Sequence, residues 1–120
     1  MGSDFRAYWD DQDGVAIVEW ISGTTCSLAD AQSATSQVDN LAAGGRVPVL
    51  VDMRGMTTLE RSAREHFIND NSSAVAVALL AGSAVNRMIA NFFIGLKRFA
   101  IPIRIFTDRD DALAWLREHP

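Results

Sequence analysis

Asp52 stands where an apolar run, Val47 to Met53, gives way to a polar loop, and Arg54 follows two residues later. An aspartate at the end of a strand occupies a position shared by many catalytic aspartates. An arginine beside it could bind an anionic ligand through its guanidinium fork, or simply pair with Asp52 or Glu60. A second such junction is Ala81-Gly82-Ser83, which opens an amphipathic stretch containing Asn86, and a third is Thr107-Asp108. The free N–H groups of a helix beginning at Gly82-Ser83 could hold an anion, and the same residues equally make a turn and a cap. In an open α/β sheet, ligands sit beyond the carboxyl ends of the strands. Asp52, Arg54, Gly82, Ser83 and Asn86 are therefore the candidates for holding a small apolar or anionic molecule.

Other reactive side chains lack partners in the sequence. His66 lies in a charged segment and His119 is next to last, so neither can be placed beside Asp52. No spacing of His, Cys and carboxylates matches a metal site, and no nucleophile elbow, P-loop or glycine-rich dinucleotide fingerprint occurs. Asp10-Asp-Gln-Asp-Gly14 has the aspartates of a calcium loop but not its later ligands or closing glutamate, and reads as a solvated turn. Cys26 is the single cysteine, with nothing nearby in sequence to lower its pKa. The expectation is a protein without catalytic residues, metal or cofactor.

The elements that must position these residues follow from periodicity. Phe5 to Trp9 and Val15 to Ile21 flank the acidic turn as a hairpin. Ser27 to Ala43 has Leu28, Ala31, Thr35, Val38 and Leu41 at helical spacing, a capping box from Ser27 and Asp30, and Gly44-Gly45 as its stop. Val47 to Met53 is a buried strand. Thr58 to Asn69 is a charged helix with Leu59, Ala63 and Phe67 inward. Ala74 to Leu80 is the next strand, its small residues alternating with Val75, Val77 and Leu79. The alanine side either admits a helix closely or is thinly covered. Ser83 to Arg98 carries the stripe Val85, Met88, Ile89, Phe92, Phe93, Leu96, which leaves Ala90 and Ile94 as an outer apolar pair, the basis for a homodimer. Ile101 to Phe106 is a strand with Pro102 at its start, which suits an edge. Thr107 and Asp110 cap a last helix that buries Ala112, Leu113 and Leu116. The result is an α/β fold in β-β-α-β-α-β-α-β-α order with a mixed, mostly parallel sheet of about five strands.

With 120 residues, 48% of them hydrophobic, the chain makes one domain, residues 1–120, and is too short for two. The net charge of −4 argues against a nucleic-acid or anionic-membrane partner. The start, Met1-Gly-Ser-Asp-Phe5, has no basic flank or apolar segment, so no secretory signal is expected. The longest apolar stretch falls far short of the ~20 residues of a spanning helix. A cytoplasmic protein is expected.

Two segments resemble a known family: Val49-Leu-Val-Asp-Met-Arg-Gly-Met-Thr-Thr-Leu59 and Phe106-Thr-Asp-Arg-Asp-Asp-Ala-Leu-Ala-Trp-Leu116. With the element order, they are similar to STAS domains (sulphate transporter and anti-sigma-factor antagonist) of the SpoIIAA-like branch. The resemblance implies helices mainly on one face of the sheet and a non-catalytic regulatory role with a protein partner. Antagonists of that branch open the helix after this strand with Asp-Ser-Ser-Gly and are phosphorylated on the second serine. Glu60-Arg-Ser-Ala63 falls on that motif, so Ser62 would be the phosphoacceptor, while Glu60, Arg61 and Ala63 depart from it. A phosphate there would gain from the helix dipole and from Arg61 or Arg64, against Glu60. Glu60, Arg61, Arg64 and Glu65 then form the expected partner surface. Kinship with lipid-binding CRAL-TRIO domains implies the alternative, a small-ligand binder. A deep pocket lined by Met88, Phe92 and Phe93 would favour that alternative.

Overall fold

The chain folds as β1 (Phe5–Asp10), β2 (Val15–Trp20), β3 (Thr24–Cys26), α1 (Leu28–Ala42), β4 (Val47–Asp52), β5 (Met56–Leu59), α2 (Arg61–Asn69), β6 (Ala74–Leu80), α3 (Ala84–Gly95), β7 (Ile103–Phe106) and α4 (Arg109–Leu116). The structure, a computed structural model, describes residues 5–70, 73–95 and 101–119, the side chains of residue 85 and residues 92–95 excepted. One sheet has the strand order β1-β2-β4-β6-β7, with β1 antiparallel to β2 and every other pair parallel. The mixed, mostly parallel five-stranded sheet expected from the hydrophobic pattern is therefore present. At the β1–β2 turn Gly14 takes the left-handed conformation at φ 67° and donates to the Asp10 carbonyl at 2.8 Å. The acidic residues there shape a turn: the Asp10 carboxylate accepts from the Gln12 amide at 3.0 Å. At the other edge, the carbonyl of Pro102 accepts from Val77 at 3.0 Å as β7 begins.

Helices cover both faces of the sheet, three on one and one on the other. Ala31 and Ala34 of α1, Ala63 of α2 and Ala90 of α3 pack over Val18, Val49 and Leu79. On the opposite face Ala112, Leu113 and Leu116 of α4 pack on Ile17, Leu50, Ala76, Ala78 and Leu80. The alternation in β6 has a clear use: alanines on both β6 and α4 let the helix approach the sheet closely. Cys26 is completely buried in the first layer, a packed thiol.

Four local expectations are overturned, the first two by contacts between distant segments. First, β3 and β5 form a separate two-stranded parallel sheet. Thr58 and Leu59 are strand, and the helix begins at Arg61, because the Gly55 carbonyl takes the amides of Gly23 and Thr24 and the Glu60 amide donates to Cys26. Second, α3 is rotated relative to its apolar stripe. Met88 is 66% exposed and Ala90 only 1%, with Asn86 buried beside it. The inner face is thus Asn86, Ile89 and Ala90, so Ala90 is lost from the outer apolar pair. The side chains of Val85, Phe92, Phe93 and Ile94 are not among those described, and Leu96 and the expected helix end at Arg98 lie outside the described residues. Third, Leu28 is exposed and the alanines of α1 face inward instead; the Ser27–Asp30 capping box itself is present in both directions. Fourth, α4 is capped by Asp108, whose side chain accepts from the Asp111 amide, and not by Thr107 and Asp110.

Candidate functional site

The carboxyl ends of the parallel strands gather charged side chains from four elements. Asp52 ends β4 and is paired in register with Glu19 of β2, which puts two acidic residues side by side. Each is answered by arginine. Arg54 turns back from the loop and donates to both Asp52 oxygens, Nε to Oδ1 at 2.9 Å and Nη2 to Oδ2 at 2.7 Å, while its backbone amide donates to Oδ1 at 3.2 Å. Glu19 accepts from Arg6 at 2.6 Å and from the Tyr8 hydroxyl at 3.0 Å, and Arg109 of α4 stands 3.8 Å away. Burial pushes the Asp52 carboxyl upward in pKa. The hydrogen bonds from Arg54, with the charges of Arg54 and Arg109, outweigh that burial and hold it below the ordinary aspartate value.

Arg54 can fold back because Gly82 has no side chain. A Cβ at Gly82 would lie 3.1 Å from Arg54 Cγ, so the arginine stem crosses the end of β6 at that point. Ser83 then caps α3, its hydroxyl accepting from the Asn86 amide at 3.0 Å. Asn86 is 2% exposed and fully engaged: its Oδ1 accepts from the Gly82 amide at 3.3 Å and its Nδ2 donates to the Met56 carbonyl at 2.6 Å. Asp52, Arg54, Gly82, Ser83 and Asn86 therefore come together, and their polar groups are turned mainly on one another. Chemically the cluster fixes the loop after Met53 and the start of α3. Half of the Arg54 side chain remains exposed to solvent. Among the described residues, no three His, Cys, Asp or Glu side chains gather as metal ligands.

The same loop leads through β5 into α2, which carries the remaining sequence candidates. Glu60 is the N-cap residue but gives no side-chain hydrogen bond to the helix. Arg61, Ser62 and Glu65 are exposed, and Arg64 is half-buried. Arg61 and Glu65 pair at 3.2 Å along the helix, a contact too exposed to hold much energy. Ala63 is buried beneath them. One turn on, Thr35 of α1 gives its single hydroxyl proton to the Ala31 carbonyl at 2.9 Å, so its oxygen accepts from His66 Nε2 at 3.0 Å. His66 thus ties α2 to α1, far from the strand ends.

A cavity of about 130 Å³ lies between the sheet and α1, α2 and α3. Ile89 and Ala90 line it from α3, Val38 from α1 and Phe67 from α2, while Met88 is outside. The side chains of Phe92 and Phe93, expected there, are not among those described. Thr35, Asp39, Asp70 and Ser73 also border it, and sequence reasoning missed all four. Their signal is weak because each is an ordinary helix or loop residue until α1 and the start of β6 are brought together.

Residues 8–120 match the model of a family described as a domain of unknown function, DUF7793. The chain belongs to that family. No curated protein matches it. Among solved structures, this DUF7793 chain is similar to an anti-sigma factor antagonist from Mycobacterium paratuberculosis, with a TM-score of 0.65 and 16% identity over 98% of this chain and 97% of the other. It is also similar to an uncharacterized protein of the DUF3478 family from Shewanella loihica, described as having a SpoIIAA-like fold, with a TM-score of 0.63 and 17% identity over 93% and 91% of the two chains. A protein of unknown function from an Arthrobacter species is 35% identical over 92% of this chain and 97% of that one, with a TM-score of 0.38. The DUF7793 chain accordingly has a SpoIIAA-like fold, the fold expected from the segments Val49–Leu59 and Phe106–Leu116. No described helix is long and apolar enough to cross a membrane.

Proposed function

We propose that this chain is a non-catalytic regulatory module that binds a protein partner through the loop after Met53 and the outer face of α2. The observation that carries the reading is the outward face of that helix. Glu60, Arg61, Ser62 and Glu65 all face solvent, with charges of both signs interspersed, on a helix whose inner side is anchored by Ala63 and Phe67. Mixed charge of this kind orients and selects a protein partner. The strand-end cluster supports the same reading, since its polar groups answer each other and leave few to converge on a substrate. Similarity of fold to an anti-sigma factor antagonist adds a precedent for regulation by protein contact.

Within this reading Ser62 is the phosphoacceptor of a reduced motif. It is the second residue of α2, where the first-turn N–H groups receive no side-chain cap from Glu60. A phosphate there gains from the helix N-terminus and from Arg61 or Arg64, with Glu60 opposing.

The test is a paired purification from the protein's own host, using the full chain and a charge-swapped variant, Arg61→Glu with Glu65→Arg. The swap keeps a pair along the helix but inverts the surface field. A protein that copurifies with the wild type, survives Asp11→Asn on the remote hairpin turn, and disappears with the swap supports the proposal. The absence of any copurifying protein sensitive to the swap would refute it. Intact mass of the same samples reports on Ser62: an added phosphate, absent in Ser62→Ala, is the expected result.

A further inference from the structure

We infer that the cavity beneath α1, α2 and α3 is a binding site for a small amphiphile, an apolar body of about benzene size with a cationic or neutral donor end. Its volume, about 130 Å³, is close to that of dry apolar cavities of about 150 Å³ that take up benzene or xenon. The floor is mostly β-branched and aliphatic, including Val49 and Val77, with Trp20 at one side. Ala34 of α1 and Ala90 of α3, both buried, line the cavity with small side chains. Away from its polar end the lining is apolar, so an apolar body is the fitting occupant there.

The polar residues mark one end. Ser73 donates its hydroxyl to Asp39, and Thr35 is engaged by Ala31 and His66. Two carboxylates, Asp39 and Asp70, therefore border that end. Among the described residues, Arg46 lies at that end, its guanidinium donating to the Ala74 carbonyl at 2.9 Å. An anionic head would meet more negative than positive charge there, whereas an amine or alcohol would meet acceptors. This excludes a carboxylate-headed ligand from the class proposed. The site is separate from the strand-end cluster and from the outward face of α2, so it stands or falls independently of the proposed partner surface.

The experiment is a methyl NMR titration of the full chain with benzene, n-pentylamine and pentanoate at neutral pH and low salt. The expected result is saturable shifts centred on Val38, Val77 and Ile89, with pentylamine bound about fivefold tighter than pentanoate. Asp39→Asn with Asp70→Asn should erase that preference and leave benzene binding intact. Ala34→Val and Ala90→Val, made separately so that one folded variant suffices, should each weaken benzene about tenfold or more while circular dichroism is unchanged. Non-saturable or scattered shifts, benzene binding untouched by a folded filling variant, or pentanoate binding as tightly as pentylamine would each overturn the inference.

Discussion

Replacing Gly55 with alanine should unfasten the loop that sets the whole strand-end region. A Cβ there would lie 2.3 Å from the Trp20 carbonyl oxygen, 2.7 Å from the Ile21 carbonyl carbon and 2.8 Å from its oxygen. All three are backbone atoms, so no side chain can swing aside. Reaching ordinary contact requires a displacement of about 1 Å. That movement breaks the bonds from the Gly23 and Thr24 amides to the Gly55 carbonyl, now 2.9 and 3.1 Å, which join the β3 and β5 segments. Two backbone hydrogen bonds at about 1 kcal/mol each, with about 1–3 kcal/mol of overpacking, exceed the roughly 0.4–1 kcal/mol that alanine returns by restricting the unfolded chain. The expected loss is about 3 kcal/mol, or roughly 12 °C in midpoint for a chain of this length. Urea unfolding followed by circular dichroism gives the number, and hydrogen exchange should show faster exchange at Thr24. Gly82→Ala gives the contrast: its Cβ would meet the Arg54 stem at 3.1 Å, a side chain that can give by a few tenths of an ångström where backbone cannot, so it should cost less than Gly55→Ala. If Gly55→Ala unfolds within about 0.5 kcal/mol of the wild type at unchanged m-value, the close approach of Gly55 to the Trp20–Ile21 backbone does not hold.

Three further outcomes follow from the same contacts. Asn86→Leu keeps the branched shape but strands the Met56 carbonyl and the Gly82 amide, and should cost about 2–4 kcal/mol in urea unfolding; a near-neutral change would mean that water replaces the amide. Asp52, held below its ordinary value in the fold, binds more protons when unfolded, so its contribution is present above the unfolded value of about 3.9 and is lost as pH falls through the folded one. Stability measured from pH 6 to pH 2 should therefore fall less steeply in Asp52→Asn than in the wild type, and equal slopes would refute the pairing. Ala112→Leu forces α4 off the alanines of β6 and should destabilise by about 1–3 kcal/mol; a stabilised variant would show that the layer has room to spare.

Much of the fold was legible because its determinants are local. Ser27 and Asp30 are three residues apart, so the capping box can be read without knowing the tertiary structure. The apolar runs of the central strands and the proline ahead of the last one are equally local signals. What was missed depends on contacts between distant segments. The β3–β5 sheet joins residues about thirty apart through Gly55, and neither strand is long enough to show a period. The rotation of α3 follows one buried asparagine. Hydrophobic spacing favours Met88 on the inner face, but the Asn86 amide, bound to Met56 and Gly82, turns that face toward Ala90.

The candidate site divides along the same line. Asp52, Arg54, Gly82, Ser83 and Asn86 could be named from sequence, since strand ends and helix starts locate them. Whether they face a ligand or each other could not, because a guanidinium fork fits an external carboxylate and the carboxylate two residues away equally well. The deciding feature is Gly82, which lets the Arg54 stem lie flat and reach both oxygens of Asp52. A side chain at that position would press on the stem and disturb this reach. The same glycine that reads in sequence as part of an anion-binding turn therefore lies, in the fold, beneath the stem of an arginine already held by Asp52. That is why the interaction face is better sought on α2, where Arg61 and Glu65 remain in solvent, than at the carboxyl ends of the strands.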